Sequence, residues 1–200
     1  MLFVALLIAS FAISGEPPDA DEPVGEIVEH YVDNDDAIWA STIVGGLAIV
    51  SLLFFGGYLR KLFAAVEPPG HGLLSPLVLT GAAIMAVGAG IDMTISVALV
   101  EAVEDVDPAA VQALQALWDN DFVPIAIGIV VLLLSCGLSI VKYGALPKWL
   151  GWVAIVIAAV GMTPVGFAAF PLGGIWVIIT SILLAVRAGG PATPGVDTAT

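Results

Sequence analysis

Asp92 is the only carboxylate set inside an apolar span of this chain, about 12 Å by helical rise from the outer end of that span. A charge at such a depth costs on the order of 2 to 3 kcal/mol or more unless it is paired, hydrated or protonated. No Lys or Arg falls within any span, so the expected partners are the hydroxyls of Ser96, Thr94, Thr163 and Thr180, and water. On a helical wheel Gly81, Met85, Gly88, Asp92 and Ser96 share one face, and glycines at that spacing let a neighbouring helix approach closely. Asp92 is therefore expected to face other helices. Asp92, Ser96 and Thr94 make up the candidate ligand or proton site. Two roles fit it: a protonatable acid of a proton- or cation-coupled carrier, or a carboxyl group that joins two helices through hydrogen bonds.

The other reactive side chains offer less. His30 and His71 are expected on opposite sides of the membrane, solvent-exposed by default, and cannot jointly hold a metal or haem. Cys136 is the single cysteine and lies in an apolar run beside Ser135 and Ser139. That excludes an intramolecular disulfide, a CxxC pair and a cysteine zinc site, and leaves a small packed side chain. No serine has a His or Lys at a spacing suited to nucleophilic catalysis. A phosphate loop, an HExxH motif and a basic stripe are all missing from the sequence. The tripeptide Asp33-Asn34-Asp35 recurs as Asp119-Asn120-Asp121. Its oxygens could serve calcium, but the EF-hand glycine and terminal glutamate are missing. Asp and Asn also cap helix starts and suit the positive end of the helix dipole.

The elements that must position Asp92 follow from composition. Sixty per cent hydrophobic residues against 12 % charged ones, with a mean hydropathy of +1.07, exceed what a water-soluble core absorbs. Five apolar runs approach the 20 or so residues needed to cross about 30 Å of hydrocarbon: residues 38–59, 76–100, 122–141, 149–168 and 170–186. A sixth, residues 1–14, reaches only about 21 Å. It reads as a first transmembrane helix or as a cleaved signal peptide, since Ala12 and Ser14 suit a peptidase while a basic n-region is missing.

Arg60, Lys61, Lys142, Lys148 and Arg187 flank the same ends of these runs and nearly all carboxylates flank the other ends. The basic ends are therefore expected to be cytoplasmic, as are both termini. With a formal net charge of -13, nucleic acid is not an expected partner. Pro76, Pro124 and Pro171 are expected in first turns of helices, where a missing N–H costs nothing, and Pro164 is expected to kink the fifth segment near its outer end. Trp39, Trp118, Trp149, Trp152 and Trp176 fall within about a turn of segment ends, as for headgroup anchors.

Two outer loops carry helical periodicity. Val24, Ile27, Val28, Tyr31 and Val32 form one stripe, and Val111, Leu114, Leu117 and Trp118 another, behind an Asp107-Pro108 start. Both are expected as short amphipathic helices lying on the membrane surface or capping the bundle. The repeated tripeptide after each suggests a parallel internal duplication of the two hairpins. Residues 189–200, rich in Gly, Pro, Ala and Thr, are expected to form a disordered cytoplasmic tail.

Glu16-Pro17-Pro18, Ile27 to Tyr31, Tyr58-Leu59-Arg60 and the link Gly144-Ala145-Leu146-Pro147-Lys148-Trp149-Leu150-Gly151-Trp152 together give a layout that resembles the uncharacterised multi-pass membrane proteins common in actinobacteria. It is similar to one domain-of-unknown-function family, a resemblance that brings no catalytic residues. The expectation is an all-α membrane protein, a six-transmembrane-helix bundle over residues 1–188 with two short amphipathic helices on its outer face, in the bacterial plasma membrane. Its expected role is non-enzymatic binding of a lipid, a small ligand or a membrane partner, which includes a second copy of the chain. The alternative is a small proton- or cation-coupled transporter using Asp92. An enzyme would need a second reactive group near Asp92, and the sequence offers none. No cofactor or metal is expected.

Overall fold

The computed structural model describes residues 1–70, 72–163 and 165–188. The expectations for His71, for a kink at Pro164 and for the tail 189–200 lie outside the described residues. Within them the regular elements are all helices: α1 (Leu2–Ser14), α2 (Val24–Asp33), α3 (Asp35–Ala64), α4 (Leu74–Ala102), α5 (Pro108–Trp118), α6 (Phe122–Tyr143), α7 (Lys148–Gly161), a 3-10 turn (Gly166–Ala168) and α8 (Ala169–Ala188). Four stretches are long and apolar enough to cross a membrane: α3, α4, the stretch that ends with α6, and the stretch that contains α8. α1 and α7 are apolar but shorter.

The long helices are apolar on every face. Along α3 the buried positions Ser41, Gly45, Ala48, Leu52, Gly56, Leu59 and Phe63 recur at helical spacing, yet the exposed face carries Ile43, Leu47, Val50 and Phe54, the last 78 % exposed. A helix in water would be polar on that side, whereas hydrocarbon accepts it. Pro76, Pro124 and Pro171 are each the third residue of their helix, in the first turn as expected.

Glycine lets the backbones meet. A Cβ on Gly88 would stand 2.8 Å from the backbone nitrogen of Ile125, and one on Gly81 would collide with the backbone of Leu132. The Gly81 and Gly88 face of α4 therefore packs antiparallel on α6. Gly56 against Ala82 joins α3 to α4, and Gly137 against Gly151 joins α6 to α7. Arg187 Nη1 donates to the Ala145 carbonyl at 2.9 Å, fastening the end of α8 to the α6–α7 link. In this antiparallel arrangement all five basic residues collect at one end of the bundle and the two acidic loops at the other.

Several sequence expectations need correction. The segment expected over residues 149–168 is helical only to Gly161. Thr163 precedes a proline in the sequence, and such residues disfavour helical backbone. Trp176 is no headgroup anchor: it is 1 % exposed and its indole N–H donates to the Leu150 carbonyl at 3.0 Å. α8 begins at Ala169, close to the expected start, so Trp176 lies about two turns inside the helix, too deep for a headgroup anchor. The asparagines of the repeated tripeptide do not cap helix starts. Asn34 Nδ2 donates to the His30 carbonyl and Asn120 Nδ2 to the Ala116 carbonyl, each at 2.8 Å. Both close the C-terminus of the preceding amphipathic helix, where unpaired carbonyls need donors. Asp107 does cap α5, its Oδ1 accepting from the Ala109 N–H at 2.8 Å.

α1 covers only part of the bundle's height. Ser10 donates to the Ser41 carbonyl at 2.8 Å, and Phe11 meets the Phe170 ring edge-on at 6.2 Å between centroids. At its other end Val4 lies beside Gly174. The Met1 amino group donates to Ser181 Oγ at 3.0 Å, so the thirteen residues of α1, about 20 Å, run from the acidic end to just past the middle of α8.

Candidate functional site

Asp92 and Ser96 both open onto a cavity of about 620 Å³ in the acidic half of the bundle, between α1, α3 and α4. The deep walls are apolar, with Phe3, Leu7, Ala48, Leu52, Met85 and Ala89 among them. The polar groups gather toward the roof, where α2 and α5 contribute His30, Tyr31 and Trp118. Ser14 to Pro17, at the start of the strap between α1 and α2, complete the lining.

The cavity exists because the helices at this level are thinned. Gly45 sits where α1 and α3 close together, and any Cβ there would strike the Met93 methyl group. Small residues at 45, 48 and 89 leave space that Met85 and Met93 only partly fill. Toward the basic end, Leu59, Phe63, Val78 and Ile140 are fully buried and fill the core.

The two roof helices are locked by a polar network that crosses the second hydrophobic cluster, built on Ile27, Tyr31, Ile38, Ile95, Leu99, Val103 and Val111. The Tyr31 hydroxyl donates to Gln115 Oε1 at 2.9 Å. Gln115 Nε2 in turn donates to the Pro18 carbonyl at 2.9 Å and to Asp119 Oδ1 at 3.2 Å. Asp119 Oδ2 accepts from the Ala20 N–H at 2.9 Å. The strap between α1 and α2 is thereby laid over α5. Burial, followed by the charges of Asp119 and Asp92, pushes the Tyr31 phenol well above its ordinary value, which keeps the hydroxyl protonated as a donor. Burial pushes His30 below its usual value, so its imidazole is neutral near pH 7.

Around Asp92 hydrogen bonding is incomplete. The Ser96 hydroxyl donates to the Asp92 backbone carbonyl at 3.0 Å, not to its carboxyl. The Trp118 indole N–H is within interaction range of that carboxyl but completes no hydrogen bond, and Asp121 Oδ2 is likewise buried without a partner. Asp121 lies close enough to Asp92 to feel its charge.

The structure thus brings Asp92 and Ser96 together but sets Thr94 elsewhere. Thr94 is exposed and donates to the Gly90 carbonyl at 2.7 Å. Thr163 is exposed and donates to the Val160 carbonyl, while Thr180 is buried in α8 without a partner. Neither lines the cavity. His30, expected in solvent, is half-buried at the roof. Sequence reasoning missed Gln115, which is fully buried, and assigned its face to Leu117, which is exposed. The signal was present: residue 115 stands four after Val111 and three before Trp118, one polar side chain on the apolar stripe.

The arrangement offers an apolar chamber with a carboxyl group and aromatic rings at one end. It suits an amphiphile held by its polar head. No family model, curated protein or solved structure matches the chain.

Proposed function

We propose that this chain is a multi-pass protein of the bacterial plasma membrane that binds a small membrane-borne amphiphile in the cavity below its acidic roof, without chemical conversion. The observation that carries this reading is the 620 Å³ chamber itself, a size within the range of ligand pockets, with mostly apolar walls and a few convergent polar groups. The chain would form a six-helix bundle, with α3, α4, α6, α7 and α8 crossing and α1 inserted from the acidic side. In this reading α1 is retained, because Phe3 and Val4 are buried in the main core and removal of the helix would strip one wall of the chamber. The basic end would face the cytoplasm by the positive-inside rule.

Binding is favoured over coupled transport because the core beyond Leu52 and Met85 is packed toward the basic end and the chamber does not extend to it. Native mass spectrometry of protein released from gentle detergent tests the reading. Wild type is expected to retain a single amphiphile per chain, and Ala89→Phe, which fills the chamber, is expected to lose it. Equal retention by both would contradict it.

A further inference from the structure

We infer that the ligand of this chamber carries a cationic amine head, seated between Asp92 and the aromatic rings of the roof, with its apolar tail toward Leu52 and Met85. This rests on the amphiphile-binding reading and specifies its ligand class.

The bundle's five Lys and Arg residues are Arg60, Lys61, Lys142, Lys148 and Arg187, and the antiparallel fold collects them all at the opposite end from the chamber. His30, the basic side chain at the roof, is pushed below its usual value by burial, which disfavours its imidazolium. Among the described residues Asp92 therefore has no Lys or Arg to pair with, the Met1 ammonium is engaged with Ser181 Oγ at 3.0 Å, and Asp121 lies close enough to feel the charge of Asp92. A carboxyl in hydrocarbon takes its countercharge from a ligand or holds a proton.

Tyr31, Trp118, Phe11 and Phe170 all border the chamber, and aromatic faces attract ammonium groups, the more so when water is excluded. An anionic head would instead meet the carboxylates of Asp92 and Glu16, with no charged donor beside the Trp118 indole, the His30 imidazole and a few hydroxyls. The length fits as well: Met85 lies seven residues below Asp92 on α4, about 10 Å by helical rise, which matches an octyl chain.

The test is equilibrium binding of dimethyloctylamine and of octanol to the full chain in zwitterionic nanodiscs. The account expects both to bind, the amine about tenfold tighter or more, and expects Asp92→Asn to erase that preference while octanol binding persists. If octanol and the amine bind wild type equally, the cationic head is wrong and the chamber reading survives. If neither binds wild type, or both bind Ala89→Phe unchanged, the chamber reading itself fails. Should Asp92→Asn lose both ligands, Asp92→Glu decides: a retained amine preference supports the inference, and equal binding overturns it.

Discussion

Tyr31 and Gln115, eighty-four positions apart in sequence, share a fully buried hydrogen bond of 2.9 Å that joins the two amphipathic helices into one roof over the chamber. Each residue is the polar member of an otherwise apolar stripe, and Gln115 also holds the strap at Pro18. The roof is therefore one unit, built from two segments that sequence periodicity treats as separate.

Removing one partner should uncouple that unit. Tyr31→Phe leaves Gln115 Oε1 buried without a donor, a loss of about 1–3 kcal/mol. Hydrogen exchange is expected to quicken in α2 and α5 together, with α4 and α6 unchanged. Faster exchange confined to α2 would mean the two helices are stabilised independently.

His30 gives the roof a pH dependence. Its folded pKa lies below the ordinary value of 6.5 because burial disfavours the imidazolium. A depressed folded value means its contribution to stability is fully present above about pH 6.5 and is lost as pH falls through the lower, folded value. Thermal unfolding followed from pH 7.5 downward, with these limits set by the ordinary imidazole range, should show a steeper loss of Tm for wild type than for His30→Gln. Parallel curves would show that His30 is not desolvated.

The α4–α6 contact predicts a contrast between two glycines of one helix. Gly81→Val drives a branched side chain into the Leu132 backbone and should lower Tm sharply, overpacking of this kind typically costing about 1–3 kcal/mol or more. Gly90→Ala meets nothing within 4 Å and should be neutral or stabilising by up to about 1 kcal/mol, through helix propensity. Similar effects at the two sites would contradict the close approach.

Much of the architecture is legible before any coordinates, because hydrocarbon imposes few solutions. Run length located α3, α4 and α6 to within a few residues, and the face of Gly81, Gly88 and Asp92 named the side that packs. What the sequence concealed depends on long-range packing. Trp176 reads as a headgroup anchor when nearness to the segment start at Phe170 is taken loosely, but six residues are nearly two turns, and at that depth its ring packs in the core. The repeated Asp-Asn-Asp reads forward as a start signal, whereas Asn34 and Asn120 bond backward to His30 and Ala116. Thr94 is close to Asp92 in sequence, yet residues two apart on a helix point to different sides. The chamber itself, assembled from α1, α3 and α4 under a roof of α2 and α5, has no local signature at all.

The most direct test of the chamber is a crystal structure of the protein soaked with terminally brominated octanol, located by the anomalous signal of bromine. The account predicts a bromine peak inside the bundle beside Leu52 and Met85, with the hydroxyl end toward Asp92, and no such peak in Ala89→Phe. Bromine found only along the outward faces of α3 and α4, against Leu47 or Phe54, would contradict it.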